Sequence, residues 1–228
     1  MPELVQAFVT ALKLIFTGDP EVFDITARSL VVSCTSTLLA SLIFTPAGSL
    51  IYFHSFPGKR ALVSIIQTLF SLPTVFVGLL VFITFSRAGP LGELQFLFTK
   101  KAMVIGQVAL ISPIVMGLTI SALSGVGQEV RDTAISLGAS RLWTILTMMR
   151  EARYAIATAL LVSFGRAISE VGCALMVGGN IVGRTRVLTT TMSLETSMGN
   201  IELSMALGII LMAIALAVSV LVNRFQQR

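Results

Sequence analysis

Long apolar runs with almost no charged residues limit what this chain can fold into. Five such runs lie at about residues 27–53, 61–85, 102–124, 154–177 and 204–222. Each is close to or longer than the ~20 residues with which a helix crosses the hydrocarbon core of a bilayer. Hydrocarbon tolerates only helices or closed β-barrels, and barrel strands alternate apolar with polar residues, whereas these runs are continuous. We therefore predict an all-α, polytopic transmembrane helical bundle with five spans.

The charge content supports a lipid environment. Of the 228 residues, 55% are hydrophobic and 12% are charged, against roughly 25% charged in soluble domains. The formal net charge is +5, but the basic residues lie at the ends of apolar runs and in short connections, where Lys and Arg anchor membrane helices. We therefore expect membrane lipid, and not nucleic acid, around this chain. Similar numbers of basic residues on the two sides leave the orientation open.

The N-terminal part differs from the rest. Residues 3–17 are apolar but short for a crossing, and Lys13 interrupts them. We interpret this stretch as an interfacial or partly inserted helix, and whether it crosses the membrane stays open. The chain then divides into an N-terminal segment, 1–24, and a transmembrane domain, 25–228. Within that domain, Pro73 and Pro113 are expected to kink their helices.

The longest polar connection, about 125–153, separates the third and fourth runs. Before Gly138, Ala134 and Leu137 are spaced as on one helix face, and Leu142 continues the pattern after it. This predicts a short helix, a glycine turn and a second helix. Such a helix pair along the membrane face could dock a partner protein, or it could be an ordinary amphipathic connector.

Part of this connection, residues 132–140, reads DTAISLGAS. It resembles the EAA loop of ATP-binding-cassette (ABC) importer permeases, where an acidic-Ala-Ala triplet is followed three residues later by Gly-Ala-Ser. Two departures are Asp-Thr-Ala for the triplet and Arg150 where many members have proline. In that family the loop is cytoplasmic and its short helix sits in a groove on the ATPase. The resemblance implies that coupling to the ATPase involves Asp132, Thr133, Ala134, Leu137, Gly138, Ala139, Ser140 and Arg141.

Six further segments are similar to the molybdate/tungstate branch of these permeases, and the last two resemble the tungstate type more closely. They are residues 71–79, 87–92, 164–172, 176–181, 184–190 and 194–196. The resemblance covers most of the chain from about Arg28 onward. It implies a type I (MetI-like) importer permease fold with five spans and an N-terminal interfacial helix. The implied function is translocation of tungstate or molybdate by ATP-driven alternating access.

The same resemblance implies the partners and the orientation. We expect a homodimer with two cytoplasmic ABC ATPase subunits, which bind ATP and Mg, and an extracytoplasmic substrate-binding protein. The complex would lie in the cytoplasmic membrane of a prokaryote, with the N-terminus outside and the C-terminus in the cytoplasm. The chain itself is expected to bind no cofactor. The external residues Arg184 and Arg186 are candidates for docking the binding protein.

Two charges lie within the fourth apolar run. Arg166 and Glu170 are four residues apart and so are predicted to share a helix face. A charge at the bilayer centre costs roughly 2.5–3.5 kcal/mol on insertion scales, so these side chains must face the bundle, a pore or each other. They could form a purely structural ion pair, or a gate or pathway element for an oxyanion. The pathway candidates are Arg166, Glu170, Gly178, Gly179 and Asn180.

Catalytic and nucleotide-binding patterns are absent from the sequence. There is no GxxxxGK[ST] loop, HExxH, CxxC or GxSxG motif, so the chain is not expected to be an enzyme. Cys34 and Cys173 lie singly in apolar runs, where we expect small buried hydrophobic residues and no metal site or disulfide. The alternatives are a secondary transporter or channel with intrinsic gating, an intramembrane enzyme, and an ABC permease for another substrate such as an amino acid.

Overall fold

The computed structural model describes residues 8–9, 12–13 and 16–226, so the predicted helix at 3–17 lies largely outside the described residues. The described residues contain helices and no strand, which confirms the predicted all-α bundle. The α-helices are α1 (Pro20–Phe53), α2 (Lys59–Thr68), α3 (Thr74–Phe85), α4 (Lys100–Ser124), α5 (Gln128–Ser136), α6 (Arg141–Glu151), α7 (Arg153–Ile168), α8 (Gly172–Gly178), α9 (Leu188–Ser197) and α10 (Ile201–Gln226).

Among the described residues, three helices are long and apolar enough to cross a membrane unbroken, namely α1, α4 and the Ile201–Leu221 part of α10. The first begins at Pro20, earlier than the predicted residue 27, so the boundary between residues 24 and 25 falls inside it. Asp19 fixes this start, since its carboxylate accepts the Glu21 and Val22 amides at 2.9 and 3.2 Å. Proline suits the first helical position because its missing N–H would be unpaired there.

The second and fourth predicted spans are bent pairs of helices. At Pro73 the expected kink is a break between two helices, and the break in the fourth span was not predicted. The segment Lys59–Ser71 meets α3 at 97°, and α7 meets α8 at 60°. Pro73 lies at the first break, where it precedes α3 and has no N–H to continue a helix. Apolar composition indicates that a segment lies in lipid, but it does not indicate whether the segment is one unbroken helix. The hydropathy pattern therefore could not reveal either break. Pro113, in contrast, lies inside the unbroken α4.

The centre of the bundle is the packing of α1 against α4. Gly48 of α1 permits the close approach, because a Cβ there would lie 2.7 Å from the Met116 carbonyl oxygen. The hydroxyl groups of Ser29 and Ser36 donate to carbonyl oxygens one turn earlier in α1, so they add no unpaired polar group. Ser29 also accepts the Leu188 amide at 2.7 Å, which ties α9 to α1.

The second halves of the two broken spans, α3 and α8, pack together around Cys173. A Cβ on Gly78 would lie 2.9 Å from the Cys173 Cα, and one on Gly106 of α4 would lie 2.5 Å from its sulfur. Cys173 is fully buried, as expected, but Cys34 is exposed on the outer surface of α1, which corrects that part of the expectation. The glycines let three helices meet without a gap.

Helix α9 lies within residues 178–203, the connection between the fourth and fifth apolar runs, where the sequence showed no helical pattern. Its sequence, LTTTMSLETS, has few apolar residues, yet Thr189, Thr190, Thr191 and Glu195 are all buried. The side chains of Thr190 and Thr191 bond to the Val187 carbonyl, and α9 packs against α10. Polar residues that are satisfied internally therefore form a buried helix here.

Candidate functional site

The break between α7 and α8 places two charged side chains together. The Arg166 guanidinium donates to Glu170 at 2.9 Å, and the other carboxylate oxygen accepts the Cys173 amide at 2.8 Å. Because α7 ends at Ile168, Glu170 lies just after the helix and not within it, which corrects the predicted shared helix face. The Glu170 carboxylate therefore accepts hydrogen bonds from both the Arg166 guanidinium and a backbone amide in the first turn of α8.

Neighbouring helices satisfy the backbone around this break. The Thr189 hydroxyl donates to the Glu170 carbonyl at 2.6 Å, and the Gln107 amide donates to the Ala167 carbonyl at 3.0 Å. A broken helix at membrane depth persists only when such partners replace the lost helical bonds. Sequence reasoning did not place Thr189 or Gln107 in the candidate site. The available signal was Gln107, a polar residue within the third apolar run, whereas Thr189 lies outside the runs.

Arg166 faces partly open space. Its side chain is 31% exposed, whereas that of Glu170 is 1% exposed. A Cβ added at the adjacent Gly165 would meet no atom within 4 Å. Among the described residues, only Glu170 hydrogen-bonds the guanidinium, so further N–H groups remain available to a ligand. The site can thus present hydrogen-bond donors to an anion while Glu170 balances the formal charge.

This open face continues along α7. Positions 158, 162, 165 and 169 follow helical spacing, and Val162 and Ser169 are exposed. A cavity of about 530 Å³ lies between α4 and α7, lined by Ser121, Thr158 and Val162 among others. The lining is mostly apolar, with hydroxyl groups from Ser121, Tyr154 and Thr158, and Arg166 does not line this cavity.

The three candidates after α8 occupy a tightly packed turn. Gly179 has φ of +69° and Asn180 of +49°. A Cβ on Gly179 would lie 2.8 Å from the Phe98 ring, and the Asn180 side chain accepts the Thr190 hydroxyl at 2.9 Å. Gly178 is buried, and its carbonyl accepts the Thr185 hydroxyl. The structure thus places Gly178, Gly179 and Asn180 within packing contacts and not on the open face of α7.

The two candidate docking arginines have different surroundings. Arg184 is exposed and lines a cavity of about 230 Å³ together with Lys100. The Arg186 side chain is 14% exposed and lies 3.5 Å from the Glu21 carboxylate. The Arg186 carbonyl also accepts from Arg28 at 2.9 Å. Arg186 therefore attaches its loop to the start of α1, while Arg184 is accessible to a partner.

The predicted helix pair is present as α5 and α6. Gly138, with φ of +80°, forms the turn, and Ser140 caps α6 by accepting the Trp143 amide at 3.4 Å. Ala134 of α5 is buried, whereas Leu137, at the turn between the two helices, is 81% exposed. Asp132, Thr133 and Arg141 are also exposed, and Ala139 is half-buried. Exposed apolar side chains next to polar ones are typical of a protein-docking surface.

The side chains that most often bind metal ions do not cluster in the part of the chain that the structure describes. Among the residues that the structure describes, no group of three or more His, Cys, Asp or Glu side chains could hold an ion. The groups of the candidate site that could contact a ligand are therefore guanidinium, hydroxyl and backbone N–H donors.

Comparison with known proteins supplies the family context. The family model described as "Binding-protein-dependent transport system inner membrane component" matches residues 44–228. The chain is 44% identical, over 90% of each sequence, to a probable anion ABC transporter permease protein of Haloferax volcanii. It is 37% identical, over 100% of each sequence, to the tungstate uptake system permease protein TupB of Peptoclostridium acidaminophilum. TupB of Campylobacter jejuni is 36% identical, with 96% of this chain and 92% of TupB covered.

Solved structures share the fold at low sequence identity. A bacterial alginate ABC transporter, in complex with an alginate pentasaccharide-bound periplasmic protein, matches 100% of this chain and 88% of its own with a TM-score of 0.75 and 18% identity. An inward-facing MetNI methionine ABC transporter matches 86% of this chain and 90% of its own with a TM-score of 0.71 and 16% identity. Both likenesses support the predicted MetI-like permease fold.

Proposed function

The chain belongs to the binding-protein-dependent transport system inner membrane component family, and from this premise we propose that it is the permease of an ABC importer for tungstate or molybdate. The observation that carries the proposal is its 37% identity over full length to a tungstate uptake permease. Tungstate and molybdate are tetrahedral dianions of nearly equal size. The permease therefore passes either one, and the choice between them belongs mainly to the extracytoplasmic binding protein.

The open face of α7 forms part of the proposed transport pathway. One copy forms only one wall of a groove, so a second copy related by a twofold axis completes the pathway. The oxyanion contacts the free N–H groups of Arg166 on its way. Because Glu170 already neutralises the guanidinium at 2.9 Å, the anion is attracted without being trapped. A permease needs this weak binding, since a strong site would prevent release.

Energy comes from outside the chain. Two cytoplasmic ABC ATPases bind ATP and Mg, and each receives one α5–α6 helix pair in a groove. Leu137, which is 81% exposed, inserts as the apolar contact, flanked by Asp132 and Thr133. Closure of the ATPases then moves α6, which leads through Ala152 directly into α7. This arrangement places the C-terminus in the cytoplasm and the N-terminus outside.

The opposite side of the molecule receives the loaded binding protein. Arg184 and Lys100 border an exposed cavity there and are available to carboxylates of that partner. Arg186 contributes less directly, by holding the loop against Glu21 and the start of α1. The turn of Gly178, Gly179 and Asn180 supports this loop from beneath.

Co-purification tests the proposed complex. The tagged chain, co-expressed with its genomic neighbours, should retain an ATPase subunit, and Leu137→Asp should release it. The matched control is Leu146→Asp, because Leu146 is also exposed but lies on α6 away from the turn. Failure of the wild-type chain to retain any ATPase would overturn the proposal.

Uptake by Arg166 variants separates a pathway role from a packing role. Arg166→Gln should abolish tungstate uptake because the open face of α7 loses its cationic donor. The discriminating readout is ATP hydrolysis by the assembled complex. Loss of uptake with retained assembly and ATPase activity supports the pathway role. Should Arg166→Gln fail to assemble, the double variant Arg166→Gln/Glu170→Gln, which leaves no buried charge unpaired, takes its place. Normal uptake by that assembled double variant would mean that the pair acts only in packing.

A further inference from the structure

A second cavity, distinct from the groove beside α7, carries two arginines. Its volume is about 240 Å³, and it lies between the α5–α6 helix pair and the end of α1. Arg131 of α5 and Arg141 of α6 both line it, together with Phe53, Ile135 and Thr144. The volume corresponds to roughly eight water molecules, which leaves room for a small anion with part of its hydration shell.

Neither arginine forms an ion pair with an acidic side chain in the part of the chain that the structure describes. Within residues 8–9, 12–13 and 16–226, the ion pairs involve Arg28, Arg166 and Arg186, and no acidic group pairs with Arg131 or Arg141. Two guanidinium groups that share one cavity repel each other. An oxyanion between them removes this repulsion and accepts paired N–H bonds from each planar fork.

The cavity and the proposed docking surface occupy different sides of α5. Arg131 and Ile135 are four residues apart and line the cavity, so they share one face of the helix. Thr133 and Ser136 are exposed and project from the opposite side at 100° per residue. An anion can therefore occupy the cavity while a partner protein contacts Thr133 and Leu137. Arg141 and Ala139, which were predicted to take part in coupling, also line the cavity and so connect it to the docking surface.

The position of the cavity relates it to the membrane surface. Phe53 is the last residue of the long apolar helix α1, and the cavity begins there. The end of a membrane-spanning helix lies near the level of the lipid headgroups, where basic pockets bind anionic head groups. The cavity is thus accessible both to a lipid phosphate and to a free oxyanion in solution.

We infer that this cavity is a binding site for a tetrahedral oxyanion group, held between Arg131 and Arg141. The group is either the phosphate of an anionic phospholipid or a free oxyanion of the transported class. Either ligand joins α5 to α6 and stiffens the helix pair, so the site would set how firmly movement of α5 is passed to α6 and α7. The binding itself requires neither ATPase nor transport and can be tested without them.

The only tryptophan of the chain provides the assay. Trp143 lies two residues after Arg141 and is 66% exposed, so its fluorescence responds to changes at the start of α6. The full-length chain in phosphatidylcholine nanodiscs is titrated with sodium tungstate and with sodium phosphate, with sodium chloride correcting for ionic strength. A second series uses nanodiscs with increasing fractions of phosphatidylglycerol and no added oxyanion.

A saturable fluorescence change in the first series identifies a free oxyanion as ligand, and saturation only in the second identifies the lipid. Arg131→Gln and Arg141→Gln should each weaken binding about tenfold or more, since each removes hydrogen bonds to a charged group. Arg141→Lys should weaken it less, because it keeps the charge but loses the planar fork. Arg150→Gln, an exposed arginine of α6 outside the cavity, is the matched control and should bind like wild type.

Folding is checked by size-exclusion profile and thermal midpoint for every variant. Should Arg141→Gln fail to fold, the comparison of Arg131→Gln with Arg150→Gln still decides the question. The inference is overturned by flat titrations in both series. It is equally overturned by a saturable change that Arg131→Gln leaves intact.

Discussion

The ion pair of Arg166 and Glu170 predicts an unequal response to mutation of its two members. The side chain of Glu170 is 1% exposed, whereas that of Arg166 is 31% exposed. Arg166→Gln leaves a buried carboxylate without its cation, and breaking a buried pair in this way costs about 3–5 kcal/mol of stability. Glu170→Gln leaves a cation that is still partly accessible, and losing a hydrogen bond to a charged group costs about 1.5–3 kcal/mol. We therefore expect Arg166→Gln to be the more destabilising change.

The double variant sharpens this prediction. Glutamine at position 170 keeps an oxygen that can accept the Cys173 amide, which now lies 2.8 Å from the carboxylate. Once glutamine replaces Glu170, removing the Arg166 charge leaves no buried charge without a partner. The double variant should therefore be about as stable as Glu170→Gln alone, so the coupling energy between the two positions should equal the cost of Arg166→Gln, about 3–5 kcal/mol.

Thermal unfolding in nanodiscs measures these differences. Cys34 is exposed and Cys173 is fully buried, so in a Cys34→Ala background a thiol-reactive dye reports the unfolding around Cys173. The midpoint should fall furthest for Arg166→Gln, less for Glu170→Gln, and no further for the double variant than for Glu170→Gln. Equal effects of the two single variants, or simple addition in the double variant, would refute the reasoning.

Glycine packing and the Arg186 contact give further predictions. Gly106→Ala should lower the same thermal midpoint by the equivalent of about 1–3 kcal/mol, because its Cβ would lie 2.5 Å from the Cys173 sulfur. Gly165→Ala, where a Cβ meets open space, should leave the midpoint unchanged or raise it, and a fall would contradict the described packing. Arg186→Gln should cost about 1 kcal/mol or less through its 3.5 Å contact with Glu21, and loss of folding would show that this contact matters more.

The bundle could be predicted from the sequence because apolar composition alone requires helices in lipid. The turn at Gly138 was also readable, since a glycine between two amphipathic stretches marks a helix boundary. The breaks in the second and fourth spans were not readable from composition. Pro73 was visible and was interpreted as a kink, but its effect depends on whether neighbouring helices can accept a complete break.

Long-range contacts explain what the sequence could not indicate. Thr189 reaches Glu170 across 19 positions, and Arg28 reaches the Arg186 carbonyl across 158. Such pairs have no local pattern. The polar helix α9 was not predicted for the same reason. Its threonines suggest a loop until the groups that form hydrogen bonds with their hydroxyls are known. The ion pair of Arg166 with Glu170 was predictable because its two members lie four positions apart.

Tungstate uptake by the reconstituted complex tests the central claim most directly. Proteoliposomes that contain the permease and its co-purified ATPase would be supplied with binding protein outside and ATP inside, and internal tungsten would be measured by mass spectrometry. We predict uptake that requires ATP, the ATPase and the binding protein together, and that molybdate diminishes by competition. Uptake by the permease alone, in liposomes without ATPase or ATP, would contradict the account and identify a secondary transporter or channel.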